Sequence, residues 1–214
     1  AMKPNAAITF KQPILGAKTT DGNVVLDGHH RWSQAFILNP TANVNVVFLS
    51  SELSADETLK AVHLAILAKA DKSDTKGAKG GNLFTANESD VTGYFDAATR
   101  KVDPKTGEPS KEGVAPYVYA VMKLQNIEDP AEGKEAAVAR VLDAVKKCEA
   151  TQVSGAPSRE AMPQADGELN PVTATDVADA LSSGEVNYAP PFKKESAARS
   201  GSIVMERWQR LAGL

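Results

Sequence analysis

The residues from Asp27 to Arg31 combine side chains suited to holding an anion. They follow the apolar run Val24–Leu26 and precede Trp32, so a strand is expected to turn through Gly28 into a helix. The first N–H groups of a helix have no partner within it, and its dipole favours negative charge there. The pattern therefore predicts a phosphate site. Its members are Asp27, Gly28, His29, His30 and Arg31.

Each residue of this motif has a predicted role beside a simpler one. The missing Cβ of Gly28 allows a close backbone approach, and Arg31 can bind phosphate through two parallel hydrogen bonds or pair with a surface carboxylate. Asp27 can also be only a helix N-cap. Of His29 and His30, one is expected to face the ligand and the other to stabilise the turn. A metal bound by the histidine pair is disfavoured, because adjacent side chains diverge.

Composition restricts the classes of function. The chain has 214 residues and a formal net charge of -3, so no overall basic field attracts nucleic acid and any DNA contact must be local. Its single cysteine, Cys148, excludes an intrachain disulfide framework and fits a reducing compartment. No apolar run approaches the roughly 18 residues that span a bilayer. We expect a cytoplasmic protein without a membrane partner.

The elements around the motif form a compact pattern. Strands over Pro13–Ala17 and Val24–Leu26 flank an Asp-Gly turn, which predicts a hairpin. A helix from Trp32 to Leu38 is expected to end before Pro40, and Val44–Leu49 has the pattern of a buried strand. The order is strand, turn, strand, helix, strand.

The rest of the chain is predicted to be mainly helical. Ser54 supplies the N-cap of a helix over 54–70. Polar stretches over 71–81 and 101–113 predict loops, and 151–171 predicts a linker. The fold class is therefore α+β, a small mixed β-sheet domain over 1–70 followed by a mainly helical C-terminal half over 71–214. Further helices are expected over 88–98, 115–125, 130–148, 173–181 and 204–211.

These residues also resemble a known family. The stretch Val24–Trp32, with the strand before it and Val44–Leu49 after it, resembles the ParB/sulfiredoxin superfamily across about residues 8–51. In that family a strand, a glycine turn and an arginine-bearing helix start form the nucleotide-phosphate site. The Asp-Gly-His-His-Arg version is most similar to the phosphotransferase and the phage or plasmid ParB-like branches. The resemblance implies binding of ATP, ADP or CTP.

The sequence departs from the family at several positions. His29 and His30 stand where sulfiredoxin carries its catalytic cysteine, and Cys148 lies far along the chain, so sulfinic acid reduction is not expected. Free-serine kinases of the superfamily take a glutamate from a preceding segment, whereas no acidic residue precedes Asp21 here. The role of base or magnesium ligand then falls to Asp27 or to Glu57.

The resulting hypothesis is a nucleotide-binding ParB-like protein with phosphotransferase or nucleotide-hydrolase activity. Asp27, His29 and His30 form the candidate catalytic set, and Asp27 is the candidate ligand for Mg²⁺. Gly28 and Arg31 join the histidines in binding phosphate. The alternatives are a non-enzymatic phage or plasmid protein that binds DNA or a protein partner with nucleotide as a switch, and a metal-dependent nuclease. The long helical half favours a partner or a homo-oligomer.

Four other features have mainly structural interpretations. His63 lies on the apolar face of its helix and is expected to be a hydrogen-bonded core histidine. Trp32 is expected to anchor its helix on the sheet. The glycine-lysine stretch 76–81 lacks the spacing of a P-loop, so we expect a linker there and not a loop that closes over phosphates. Lys193, Lys194 and Arg199 could contact a nucleic-acid backbone, but Glu195 interrupts them, which favours a solvated surface.

Overall fold

The structure, a computed structural model, shows an α+β protein in two compact units. Residues 1–80 and 149–214 form the first unit, and residues 81–148 form the second. This division differs from a boundary after residue 70, because residues 149–214 return to the first unit. The structure describes residues 5–70, 73–74, 85–99, 115–148, 151–153, 155, 164–165, 172–188, 192–195, 203–204 and 210–211.

Strands and three helices make up the described part of the first unit. The helices are α1 (His29–Leu38), α2 (Ala55–Lys69) and α6 (Ala174–Ser183). The longer strands are β2 (Ile14–Thr19), β3 (Gly22–Asp27) and β5 (Val46–Ser50). The two-residue strands are β1 (Ala7–Ile8), β4 (Asn43–Val44), β6 (Ser73–Asp74), β7 (Thr151–Gln152), β8 (Gln164–Ala165), β9 (Lys193–Lys194), β10 (Ile203–Val204) and β11 (Arg210–Leu211).

A mixed sheet in the order β7-β11-β3-β2-β5-β9 carries the motif. The hairpin of β2 and β3 is antiparallel, with Leu15 opposite Asp27, while β2 and β5 run parallel. Helices α2 and α6 bury their apolar faces in one core with this sheet, around residues such as Leu49, Leu59 and Leu181. The predicted hairpin and the helix after it are confirmed. The predicted strand over 44–49 is instead divided at Asn45 into β4 and β5, which pair in different sheets.

The turn of this hairpin also fixes the start of α2. The Asp21 carboxylate accepts a hydrogen bond of 2.8 Å from the backbone N–H of Ala55. Ser54 Oγ accepts a second, of 3.2 Å, from the N–H of Glu57, which confirms the predicted N-cap. These two bonds satisfy N–H groups that the first turn of a helix otherwise leaves unpaired, and the bond to Asp21 holds α2 against the closed end of the hairpin.

The second unit contains three helices among the described residues. They are α3 (Glu88–Thr99), α4 (Pro116–Gln125) and α5 (Pro130–Lys146), close to the predicted bounds. Phe95 stacks on Tyr117 with ring centroids 5.7 Å apart. Helix α5 approaches α4 so closely at Gly133 that a Cβ there would lie 2.2 Å from Met122 Cγ.

The prediction of a helix over 204–211 is wrong at both of its ends, and residues 205–209 lie outside the described residues. Ile203–Val204 pairs with β4, and Arg210–Leu211 pairs in parallel with both β3 and β7. The backbone of β3 needs partners on the side away from β2, and β11 supplies them, so sheet pairing overrides the local helical periodicity. Within the predicted loop and linker, β6 and β8 pair with each other. The rest of 71–81 and 101–113, most of 151–171 and Arg199 lie outside the described residues.

None of the helices in the described segments is both long enough and apolar enough to cross a bilayer. This finding agrees with the absence of a membrane-length apolar run in the sequence.

Replacing Gly133 with alanine tests the close approach of α4 and α5. Alanine favours a helix over glycine by about 1 kcal/mol, but the new methyl group would overlap Met122, and overpacking costs about 1–3 kcal/mol. We expect Gly133→Ala to lower the free energy of unfolding. Gly93→Ala in α3 is the matched control, because nothing lies within 4 Å of its Cβ position. Urea unfolding showing equal effects for the two variants would contradict the packing.

His63, on α2, gives the first unit a pH dependence. Burial lowers the pKa of its imidazole below the ordinary value of 6.5, so the folded state disfavours the proton. The unfolded chain then binds that proton more readily, and stability falls as the pH drops below about 6.5. We expect His63→Gln to remove this fall in stability. The unfolding free energy of the wild type minus that of the variant should therefore decrease from pH 7.5 to pH 5.5. A constant difference would contradict it.

Candidate functional site

The strand, glycine and helix of the motif are arranged as predicted. Asp27 is the last residue of β3, Gly28 has a left-handed backbone with φ of 91°, and α1 begins at His29. Trp32, in the first turns of α1, is fully buried and stacks on Phe36 with centroids 5.0 Å apart. The buried indole anchors the helix start.

The simpler interpretation of Asp27 as the N-cap is wrong. Gly28 occupies that position, and within the described part of the chain no side chain caps the first turn of α1. The single-residue turn keeps Asp27 in the strand, so its carboxylate is directed to another partner. That partner is Arg31, one helical turn later.

Arg31 folds back over Gly28. A Cβ on that glycine would lie 2.8 Å from Arg31 Nη2 and 3.1 Å from Nε, so any other residue there would require the guanidinium to shift. Nη2 lies 3.4 Å from Asp27 Oδ2 and 3.4 Å from the Pro13 carbonyl oxygen, both long contacts. Arg31 Nε is buried and has no hydrogen-bond partner among the residues that the structure describes. The guanidinium therefore retains unused donor capacity.

The ion pair of Arg31 with Asp27 is a weak one. The Asp27 side chain is 49% exposed and that of Arg31 27%, and exposed pairs contribute about 0–1 kcal/mol. A phosphate with two negative charges, bound bidentately, would make stronger contacts with the same guanidinium. The predicted alternative, pairing with a carboxylate, is thus present but compatible with anion binding.

The structure separates the two histidines. His29 is 8% exposed and its Nε2 lies 3.1 Å from the Val25 carbonyl oxygen, so this nitrogen donates and ties the helix start to β3. Ser33 Oγ donates to the His29 carbonyl oxygen at 2.8 Å and tightens the same turn. His30 is exposed to solvent. Of the pair, His30 is the histidine available to a ligand.

Glu57 does not join the motif, and its expected role there is wrong. The hairpin register puts Gly22 opposite Thr19 at the closed end, with Asp27 at the open end. Five strand steps separate Gly22 from Asp27, about 17 Å, and α2 starts at the closed end. The Glu57 carboxylate instead accepts hydrogen bonds from Lys60 Nζ at 2.7 Å and from the Tyr188 hydroxyl. The Lys60 ammonium and then that hydroxyl hold the pKa of Glu57 below its ordinary value.

The side chains around Asp27 bear on its candidate role as a metal ligand. Across the segments that the structure describes, no group of three or more histidine, cysteine or acidic side chains could hold a metal ion. His29 and His30 point into different environments, so the pair is not a metal site. Mg²⁺ commonly takes one or two carboxylates together with substrate phosphates. A half-exposed carboxylate beside the predicted phosphate site suits that mode of binding.

The Pro13 carbonyl oxygen is a contact of the site that sequence reasoning missed. It reaches Arg31 because β2 begins beside the end of β3, and the hairpin register alone would have placed it there. The Val25 carbonyl oxygen, which receives His29 Nε2, was missed as well.

Comparison with known proteins gives no further guidance. No protein-family model, no curated protein and no solved structure matches this chain. The likeness of Val24–Trp32 to the ParB/sulfiredoxin superfamily therefore remains an expectation based on the motif alone.

Replacing Gly28 with alanine tests the packing of Arg31 over the turn. A left-handed backbone costs a residue with a Cβ about 1–2 kcal/mol, and the new methyl group would also displace the guanidinium. Gly184→Ala is the matched control, since Gly184 has φ of 80° but nothing within 4 Å of its Cβ position. We expect Gly28→Ala to lower the unfolding free energy more than Gly184→Ala does. Equal losses in urea unfolding would show that Arg31 does not pack there.

Proposed function

We propose that this chain binds a nucleotide by its phosphates at the start of α1 and transfers or hydrolyses a phosphoryl group there. The observation that carries the proposal is the Arg31 guanidinium, folded over a left-handed glycine at a helix N-terminus with a buried Nε that lacks a partner. Helix N-termini beside a glycine turn are common phosphate sites in proteins. The likeness of the motif to the ParB/sulfiredoxin superfamily supports the same ligand class.

Phosphate binding would exchange partners at Arg31. The long contact with Asp27 would give way to shorter, charge-assisted hydrogen bonds from the guanidinium to phosphate oxygens. Asp27 would then be free to act as a ligand of Mg²⁺, which neutralises phosphate charge when bound. Gly28 permits a phosphate to approach the backbone closely, since glycine carries no side chain.

His30 is the proposed acid-base group. It is exposed on the first turn of α1, and imidazole is the side chain that most often transfers protons near neutral pH. In hydrolysis His30 would accept a proton from the attacking water as the new P–O bond forms. The bond to the leaving phosphate breaks, and the leaving oxygen keeps the electron pair. In the proposed site His29 positions the turn through Val25.

A second candidate is a nucleotide-dependent switch without turnover. It is favoured by the contacts of Arg31 with Pro13, directly before β2, and with Asp27, the last residue of β3. Phosphate binding would break these contacts and so change how α1 is held on the hairpin, which a DNA or protein partner could detect. A metal-dependent nuclease is the weaker alternative, because the described residues contain no three-ligand metal group.

Calorimetric titration with ATP, ADP and CTP, with and without Mg²⁺, tests this proposal. We expect Arg31→Ala to weaken binding at least about tenfold, the loss of a charge-assisted pair. Asp27→Asn should tighten binding without Mg²⁺, because a competing carboxylate is gone, and weaken it with Mg²⁺. Lys11→Ala is the control for loss of one exposed charge. Equal affinities for wild type and Arg31→Ala would refute the phosphate site.

Phosphorus NMR of the bound nucleotide separates the two candidates. For an enzyme, His30→Gln should keep nucleotide affinity and lower turnover by about a hundredfold or more. A wild-type chain that binds nucleotide without releasing product would establish the switch instead.

A further inference from the structure

A cavity of about 350 Å³ lies at the end of the sheet away from the motif. Here the parallel strands β2 and β5 finish side by side, and β9 pairs with the outer edge of β5. Carboxyl ends of parallel strands are a common position for ligand crevices. The lining includes Lys18, Thr20, Ser50, Ser51, Glu52 and Lys193.

Two lysines of the cavity lie in one cross-strand row. Lys18 is the register partner of Ser50, and Ser50 is the partner of Lys193, so the three side chains share one face of the sheet. With strands about 4.8 Å apart, the lysine Cα atoms are about 10 Å apart. Flexible lysine side chains on either side of Ser50 can therefore reach one small ligand between them.

Neither ammonium group has an ion-pair partner among the described residues, although the Glu195 carboxylate contacts Ser50 between them. Over the described ranges, Lys18 and Lys193 make no ion pair and no side-chain hydrogen bond, although both are exposed. The neighbouring Lys194 differs, since its Nζ lies 2.5 Å from Asp179 Oδ1. Two unpaired cations on one face repel each other, and an anion placed between them would remove that repulsion.

The cavity also offers a hydroxyl donor. Ser51 Oγ accepts hydrogen bonds of 3.1 Å from both the Leu53 N–H and Thr58 Oγ1, which leaves its own proton to donate. Three other hydroxyls of the lining already donate to protein oxygens, those of Thr19, Thr20 and Ser50. Ser51 therefore keeps a proton that it can donate to a ligand in the cavity.

We propose that this cavity is a second anion site, which binds a compact dianion such as a phosphate monoester between Lys18 and Lys193. Ser51 Oγ supplies the third donor. Glu52 is an exposed carboxylate in the lining and opposes such a ligand, so its removal gives a test of opposite sign. This site is separate from the motif, because the motif lies at the opposite, open end of the hairpin of β2 and β3.

Protection of a sheet edge does not account for both lysines. Lysine on an edge strand discourages pairing with another chain, and Lys193 on β9 suits that purpose. Lys18 is on β2, which has β3 on one side and β5 on the other, so its strand has no free edge. An anionic ligand in the cavity would account for the charge of Lys18 on this interior strand.

Amide NMR of the full chain, titrated with sodium phosphate at constant ionic strength, tests the proposal. We expect saturable shifts at the Thr20 and Ser51 amides. The double substitution of Lys18→Ala with Lys193→Ala should weaken phosphate binding at least about tenfold. Arginine at both positions should preserve phosphate binding. Glu52→Gln should tighten binding roughly threefold, the effect of one exposed charge.

Two controls separate this site from other effects. Lys123→Ala with Lys146→Ala removes the same charge from exposed positions in the second unit and should change nothing. Arg31→Ala should also leave the shifts intact, so failure of the motif site would not affect this result. Shifts that do not saturate, or that survive loss of both Lys18 and Lys193, would overturn the proposal.

Discussion

The left-handed backbone of Gly28 determines the geometry of the whole motif. It turns the chain from β3 into α1 within one residue, so Asp27 stays in the strand while Arg31 comes back above the turn. The guanidinium occupies the space that a Cβ would fill, 2.8 Å from Nη2. The same turn buries His29 and leaves His30 exposed, because adjacent residues on a helix start point in different directions. The proposed phosphate binding and proton transfer thus depend on one glycine.

The hairpin separates the chemistry at its two ends. Asp21 accepts a hydrogen bond from the start of α2 at the closed end, which keeps Glu57 on that helix away from Asp27. The open end carries the motif, where Asp27 would compete with a phosphate for Arg31. The cavity at Lys18 and Lys193 lies toward the closed end of the hairpin. The two proposed anion sites therefore lie at opposite ends of one sheet.

Sequence reasoning succeeded where the cause was local. The Gly28 turn, the Ser54 cap and the periodicity of α2 all follow from residues within a few positions of each other. It failed for 204–211, because the strands at both ends of that segment depend on partners far along the chain. The distinct roles of His29 and His30 depend on the angle between β3 and α1, which spacing does not encode. The separation of Glu57 from the motif depends on the Asp21 cap.

A crystal structure with a non-hydrolysable ATP analogue and Mg²⁺ is the most direct test of the phosphate site. We expect a phosphate within hydrogen-bond distance of Arg31 and of the first backbone N–H groups of α1. The Arg31 guanidinium should have moved away from Asp27. An analogue bound elsewhere, with the 3.4 Å contact between Arg31 Nη2 and Asp27 Oδ2 unchanged, would contradict it.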